Sequence, residues 1–176
     1  MELCEGGSLA GVLAALPAGM LLPEADVWRL AAELADGLAH CHAHGVNHMD
    51  VKPANVFLDA DASAKLGDFG LALLAGRGWG VEEGDGGYVP PELLLSEPRS
   101  GAHSDVFSLG ATLVEAASGA PPPRGAYGAA VTLPGGRSPQ LVALLQAMLQ
   151  PDFTRRPTAR EVLAVACAAL GRTPPD

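Results

Sequence analysis

One stretch of this chain dictates a reversal of the backbone and sets what must fold around it. His48-Met49-Asp50-Val51-Lys52-Pro53-Ala54-Asn55 is followed, thirteen residues after Asn55, by Asp68-Phe69-Gly70. Between the two clusters, Val56-Phe57-Leu58 and Ala64-Lys65-Leu66 read as short strands, and Asp59-Ala60-Asp61-Ala62-Ser63 reads as the turn joining them. Such a hairpin carries the chain away after Asn55 and returns it with Asp68 beside the point of departure. Taken singly, Asp50, Asn55 and Asp68 are ordinary turn residues. A turn, however, has no need of Lys52 and Pro53, nor of a second fixed cluster at hairpin distance.

Helical patterns flank the hairpin. Ser8 to Leu16 suits a short helix, with Ser8 as cap and Pro17 as stop. Residues 24–43 carry Val27, Leu30, Ala31, Leu34, Ala35 and Leu38, the stripe of one long amphipathic helix that Gly45 ends. Val106 to Ser118 is apolar nearly all round, which predicts a buried central helix. Ser138-Pro139 opens another helix, and Thr158-Ala159-Arg160-Glu161 is a capping box for the last one. Gly70 to Pro91 and residues 119–137 have neither period and read as loops. The expected fold is mainly α with a small β-hairpin, in one domain over residues 1–176.

Composition narrows the function classes. The chain is 48% hydrophobic and 18% charged, so it can bury a core. It carries 11 basic against 20 acidic residues, a net charge of −9, which argues against a dominant nucleic-acid or anionic-membrane surface. Cys4, Cys41 and Cys167 have no framework spacing, which suggests free thiols in a reducing compartment. The N-terminus is acidic, not the basic start of a signal peptide, and Pro or Gly interrupts each apolar run before membrane-spanning length. The expected location is intracellular, in nucleus or cytoplasm. His40 and His44 are four apart and could meet on one helix face, without a third ligand signature nearby. His42 and His103 read as surface residues.

The two polar clusters resemble the catalytic loop and the metal-binding loop of a eukaryotic protein kinase. The resemblance covers essentially the whole chain and implies a kinase C-terminal lobe. It implies that Asp50 accepts or orients the proton of a substrate hydroxyl and that Lys52 offsets charge on the transferring phosphate of ATP. Asn55 and Asp68 would bind Mg2+, for which one amide and one carboxylate are enough. His48 and Phe69 resemble members of the hydrophobic stack that links kinase lobes. Glu92, in Pro90-Pro91-Glu92, would pair with Arg156, and Asp105 would accept hydrogen bonds from the catalytic-loop backbone.

Finer features are similar to the Wee/Myt family. Met49 stands where most kinases carry arginine, and Glu83-Gly84-Asp85-Gly86-Gly87-Tyr88 resembles that family's loop. Glu2-Leu3-Cys4-Glu5-Gly6-Gly7-Ser8-Leu9 resembles its hinge, where backbone groups of Glu2 and Cys4 would meet adenine. The implied partner is a protein substrate, a cyclin-dependent kinase. Gly87 departs from the family's arginine, Pro90 from its alanine, and Asn47 occupies an aliphatic strand position that calls for a buried partner. On this reading the chain starts at the hinge, with the N-terminal lobe absent. A fragment of an active kinase is then expected, because Asp50, Lys52, Asn55 and Asp68 are all retained; the alternative is a non-catalytic kinase-like binding module.

Overall fold

The computed structural model describes residues 4–75, 87–94, 101–123, 125 and 127–175. Its helices are α1 (Leu9–Ala15), α2 (Glu24–Ala43), α3 (Pro91–Leu94), α4 (Gly101–Ser118), α5 (Pro139–Met148) and α6 (Ala159–Ala169). The strands are β1 (Val46–Asn47), β2 (Val56–Leu58), β3 (Ala64–Leu66) and β4 (Leu73–Leu74). The fold is helix-rich with small antiparallel sheets, in agreement with the expected class.

Local chemistry sets the helix ends. Ser8 Oγ accepts from Gly11 N at 3.2 Å to start α1, and Leu16, forced out of the helical region by Pro17, stops it. Ser138 Oγ accepts from Leu141 N at the start of α5. Thr158 and Glu161 form a reciprocal capping box on α6. α4 begins at Gly101, earlier than the apolar run that announces it. Its added first turn carries polar residues that are buried because of what they bind, a fact that hydrophobic periodicity cannot register.

The core lies where α2 meets α4 and α6, and where α4 meets α5. Leu34, Leu38, Leu109, Leu113, Leu141, Leu145 and Val162 are fully buried there. At roughly 25 cal/mol per Å² of apolar surface, each leucine contributes about 1.5–3 kcal/mol. Among the described residues no helix is long and apolar enough to cross a membrane.

β2 and β3 form the expected hairpin, with Val56 opposite Leu66 and Leu58 opposite Ala64. The segment before α1 runs along its outer edge: Gly6 N donates to Leu58 O and Leu58 N to Gly7 O, both at 2.9 Å. A second antiparallel pair, Val46 with Leu74 and Asn47 with Leu73, was not legible in the sequence. Two-residue strands have no measurable alternation, and this pair joins residues that lie on either side of the hairpin. Asn47 is half-buried, and its amide packs so closely on Gly101 that a Cβ there would collide with it.

α3 is tied to the core by the expected ion pair. Arg156 donates through Nη1 and Nη2 to Glu92 Oε1 and Oε2, at 2.6 and 2.7 Å, and its guanidinium lies 4.8 Å from the Phe107 ring centroid. Ser104 Oγ donates to the same carboxylate at 3.0 Å. A pair this buried specifies geometry more than it adds stability, but removing one partner leaves an uncompensated charge.

Candidate functional site

The site grows from the junction of α2, β1 and α4. Asp105, in the second turn of α4, is fully buried. Its carboxylate accepts from His48 N at 2.8 Å and from Met49 N at 2.7 Å. His42 Nε2 contacts it at 2.8 Å. These bonds hold Met49 in a left-handed conformation, φ 68°, which costs an L-residue energy and persists only where the surroundings over-determine it. The backbone leaves that bend aimed so that Asp50 and Lys52 are both partly exposed.

Asp50, Lys52 and Asn55 are brought into contact. Asn55 Nδ2 donates to Asp50 O at 2.9 Å and to Asp50 Oδ2 at 2.7 Å. Lys52 Nζ lies 3.0 Å from the same Oδ2. One carboxylate oxygen thus sits between an amide and an ammonium. The two donors fix the direction of the carboxylate. Asn55 is buried, so its two N–H bonds orient the amide and leave the carbonyl oxygen as the end free to accept.

Asp68 is reached across the hairpin. Gly67 N donates to Asn55 O at 2.9 Å, which returns the chain to its departure point. A Cβ at Gly67 would lie 2.7 Å from the Phe57 ring, so no larger residue fits this crossing. Asp50 N donates to His48 Nδ1 at 3.3 Å, and His48 Nε2 therefore carries the proton that it donates to Gly67 O at 3.0 Å. The His48 and Phe69 rings lie 4.6 Å apart, the contact expected of them. Asp68 itself is exposed with φ 58°, and its Oδ1 accepts from Gly70 N at 3.1 Å. No other donor to its carboxylate is found among the described residues.

The donor set suits magnesium, a hard cation that takes few protein oxygens and keeps water or phosphate for the rest. Asn55 offers an oriented carbonyl oxygen and Asp68 a carboxylate open to solvent. Among the described residues there is no group of three or more His, Cys, Asp or Glu placed to hold a metal. His40 and His44 do meet, with centroids 4.4 Å apart, but without a third ligand. Burial, then Asp105, pushes the Cys41 thiol up from its ordinary value, which disfavours the reactive thiolate.

Cys4 is half-buried on the segment that runs along β2. Glu2 lies outside the described residues, as do Glu83, Gly84, Asp85 and Gly86 of the loop. Tyr88 is described; its hydroxyl donates to Glu115 Oε2, and its carbonyl accepts from Ser108 Oγ at 2.8 Å. Two histidines correct the sequence reading. His42 is held against Asp105 with 14% of its side chain exposed, and His103 is half-buried. A histidine near a helix end carries no local mark that a carboxylate 63 residues away will face it. Glu33 was also missed: its Oε2 accepts from Ala64 N at 2.7 Å and ties β3 to α2.

Comparison with known proteins adds an independent line. Residues 1–166 match the protein kinase domain family. A Wee1-like protein kinase of Arabidopsis thaliana is 36% identical over 172 residues, which is 93% of this chain and 33% of that protein. A membrane-associated tyrosine- and threonine-specific cdc2-inhibitory kinase of Caenorhabditis elegans is 36% identical over 153 residues, 81% of this chain and 22% of that protein. A CBL-interacting protein kinase 4 of Oryza sativa subsp. japonica is 44% identical over 119 residues, 64% of this chain and 26% of that protein. The chain spans about a third or less of the length of each of these relatives.

Proposed function

The chain belongs to the protein kinase domain family, and from that premise we propose that it serves ATP-dependent phosphorylation of a protein hydroxyl, with Wee/Myt-like action on a cyclin-dependent kinase in the nucleus or cytoplasm. The observation that carries the reading is the single oxygen of Asp50 held between Asn55 Nδ2 at 2.7 Å and Lys52 Nζ at 3.0 Å. Phosphoryl transfer asks a protein for positioning and charge stabilisation more than for covalent chemistry. Asp50 orients the incoming hydroxyl and takes its proton. Lys52, already against that carboxylate, is within reach of the charge that develops on the phosphate. Asn55 and Asp68 are the residues that would hold magnesium, which supplies neutralisation of the phosphate oxygens.

The described elements are, on this reading, the C-terminal lobe of the kinase domain from the hinge onward, with Cys4 toward the adenine. Phosphoryl transfer also calls for a glycine loop and a lysine that orient the ATP phosphates, and the test below provides them. The Wee/Myt reading is supported by Met49 and by the two relatives named above as Wee1-like and as cdc2-inhibitory.

The test joins the chain to the ATP-facing lobe of a Wee1-like relative and measures phosphate transfer to an inactive cyclin-dependent kinase. Asp50→Asn should lower kcat by about 100-fold or more, the usual loss when a positioned acid–base group is removed. Turnover that survives Asp50→Asn would sink the catalytic assignment. Tight binding of the partner with no turnover in either form would mark the chain as a non-catalytic module instead.

A further inference from the structure

Two polar anchors meet beneath α4. One is Asp105 with the backbone of residues 48 and 49; the other is the Glu92–Arg156 pair. His103 sits between them. Its carbonyl accepts from Arg156 Nη1 at 3.1 Å, and its ring centroid lies 6.3 Å from that of Phe153. Its Nδ1 is buried without a hydrogen-bond partner, a condition shared among the described residues only by Arg29 Nε. With His42, Ala102, Thr158 and Arg160, the ring lines a cavity of about 160 Å³.

We propose that His103 is an acid-sensitive latch, whose protonation loosens the joint between α4 and the Glu92–Arg156 pair and releases segment 88–94 as pH falls. A neutral imidazole tolerates this setting, because leaving one nitrogen unpaired costs far less than burying a charge. A proton adds a second cation beside Arg156. Arg160 of α6 and His42 of α2 line the same cavity. Glu92 of α3, Glu161 of α6 and Asp105 of α4 are the opposing carboxylates. Burial first, then Arg156 and His42, hold the His103 pKa below its ordinary value of 6.5, against the smaller pull of Glu92 and Glu161. A base depressed on folding contributes fully above its unfolded pKa, and that contribution is lost as pH falls toward the folded value. The ring is half-buried, so its relief is to turn outward. Until it does, its charge repels Arg156, whose Nη1 holds both the His103 carbonyl and Glu92 Oε1.

The latch is a property of the fold and stands or falls apart from the proposed catalysis. The 176-residue chain itself is the sample, and hydrogen exchange is the reading, corrected for the intrinsic pH dependence of amide exchange. Between about pH 7.5 and about pH 5.5, opening of residues 88–94 should rise by up to about tenfold, the most that one group with an ordinary pKa of 6.5 can supply one unit below that value. The buried amides of α2, residues 27–38, should keep their protection. His103→Gln should abolish the difference. Should that variant fold poorly, an NMR titration of the His103 ring in the unsubstituted chain decides: its midpoint must lie below 6.5, with the opening of 88–94 rising between 6.5 and that midpoint. Exchange at 88–94 that is flat with pH, a rise shared equally by α2, or a rise kept in His103→Gln and lost in His42→Gln would overturn the proposal.

Discussion

Between Val46 and Ala75 no strand exceeds three residues, and the described non-glycine residues with positive φ, Met49, Ala62 and Asp68, all lie there. Phe69, Leu71 and Leu74 in the same stretch stay substantially exposed. In the α2–α4–α5–α6 core, by contrast, helices run to 20 residues and the leucines are sealed. The two regions are stabilised by different means. The core holds itself by apolar contact. The edge is held from outside, by carboxylates that the core lends to it: Asp105 to His48 and Met49, and Glu33 to Ala64. A site whose shape depends on a few directional bonds can be strained and open to solvent while its scaffold stays rigid.

That contrast can be broken most forcefully in the core. Leu113→Ala should cost about 2–5 kcal/mol in urea unfolding, from lost transfer energy and the cavity left behind. The loss should be shared by the edge, because the scaffold fails first. Asp105→Asn should cost less, about 1.5–3 kcal/mol, since one charge-assisted acceptor becomes a donor facing an N–H. Its mark should be local: exchange at the His48 and Met49 amides rises well before that of α2. If both regions open together, Asp105 belongs to the core's cooperative unit and the division is wrong.

Smaller effects sharpen the line. Met49→Gly removes the Cβ penalty of the left-handed conformation and should leave stability unchanged or raise it by up to about 1 kcal/mol, whereas Met49→Val should lower it. Equal losses for glycine and valine would mean that the Met49 side chain, not its backbone, matters there. The gentlest probe lies on the core side. The backbone N–H and hydroxyl of Thr158 hold the Glu161 carboxyl below its ordinary pKa. Because the folded pKa is depressed, this support is present above the ordinary value of 4.5 and is lost as pH falls through the folded one. Unfolding measured from about pH 6 to about pH 3 should show a slope that Thr158→Val reduces.

Legibility followed the range of the interactions. The caps at Ser8, Ser138 and Thr158, the stripe of α2 and the β2–β3 hairpin were readable because each depends on neighbours within a few residues. The Glu92–Arg156 pair and the role of Asp105 toward the 48–49 backbone were expected from resemblance, not from periodicity. The β1–β4 pairing, the burial of His42 and His103, and the tie from Glu33 to Ala64 were not readable. Each joins positions far apart in sequence, with no local pattern to announce the partner.

By itself, the sequence determined that α1, α2, the apolar part of α4, α5 and α6 are helical, and that Asp50, Lys52 and Asn55 share one short loop while Asp68 returns beside it, though α3 and the first turn of α4 went unread. Those are consequences of φ preferences, side-chain caps and hydrophobic period, all local quantities. Only the tertiary structure decided that Asp50 Oδ2 lies between an amide and an ammonium, that Met49 is held left-handed by Asp105, and that the polar first turns of α4 are buried. The packing of α2 and α4 brings His42 and the His48 N–H, far away in sequence, to within 3 Å of one buried carboxylate, an arrangement that no local pattern encodes.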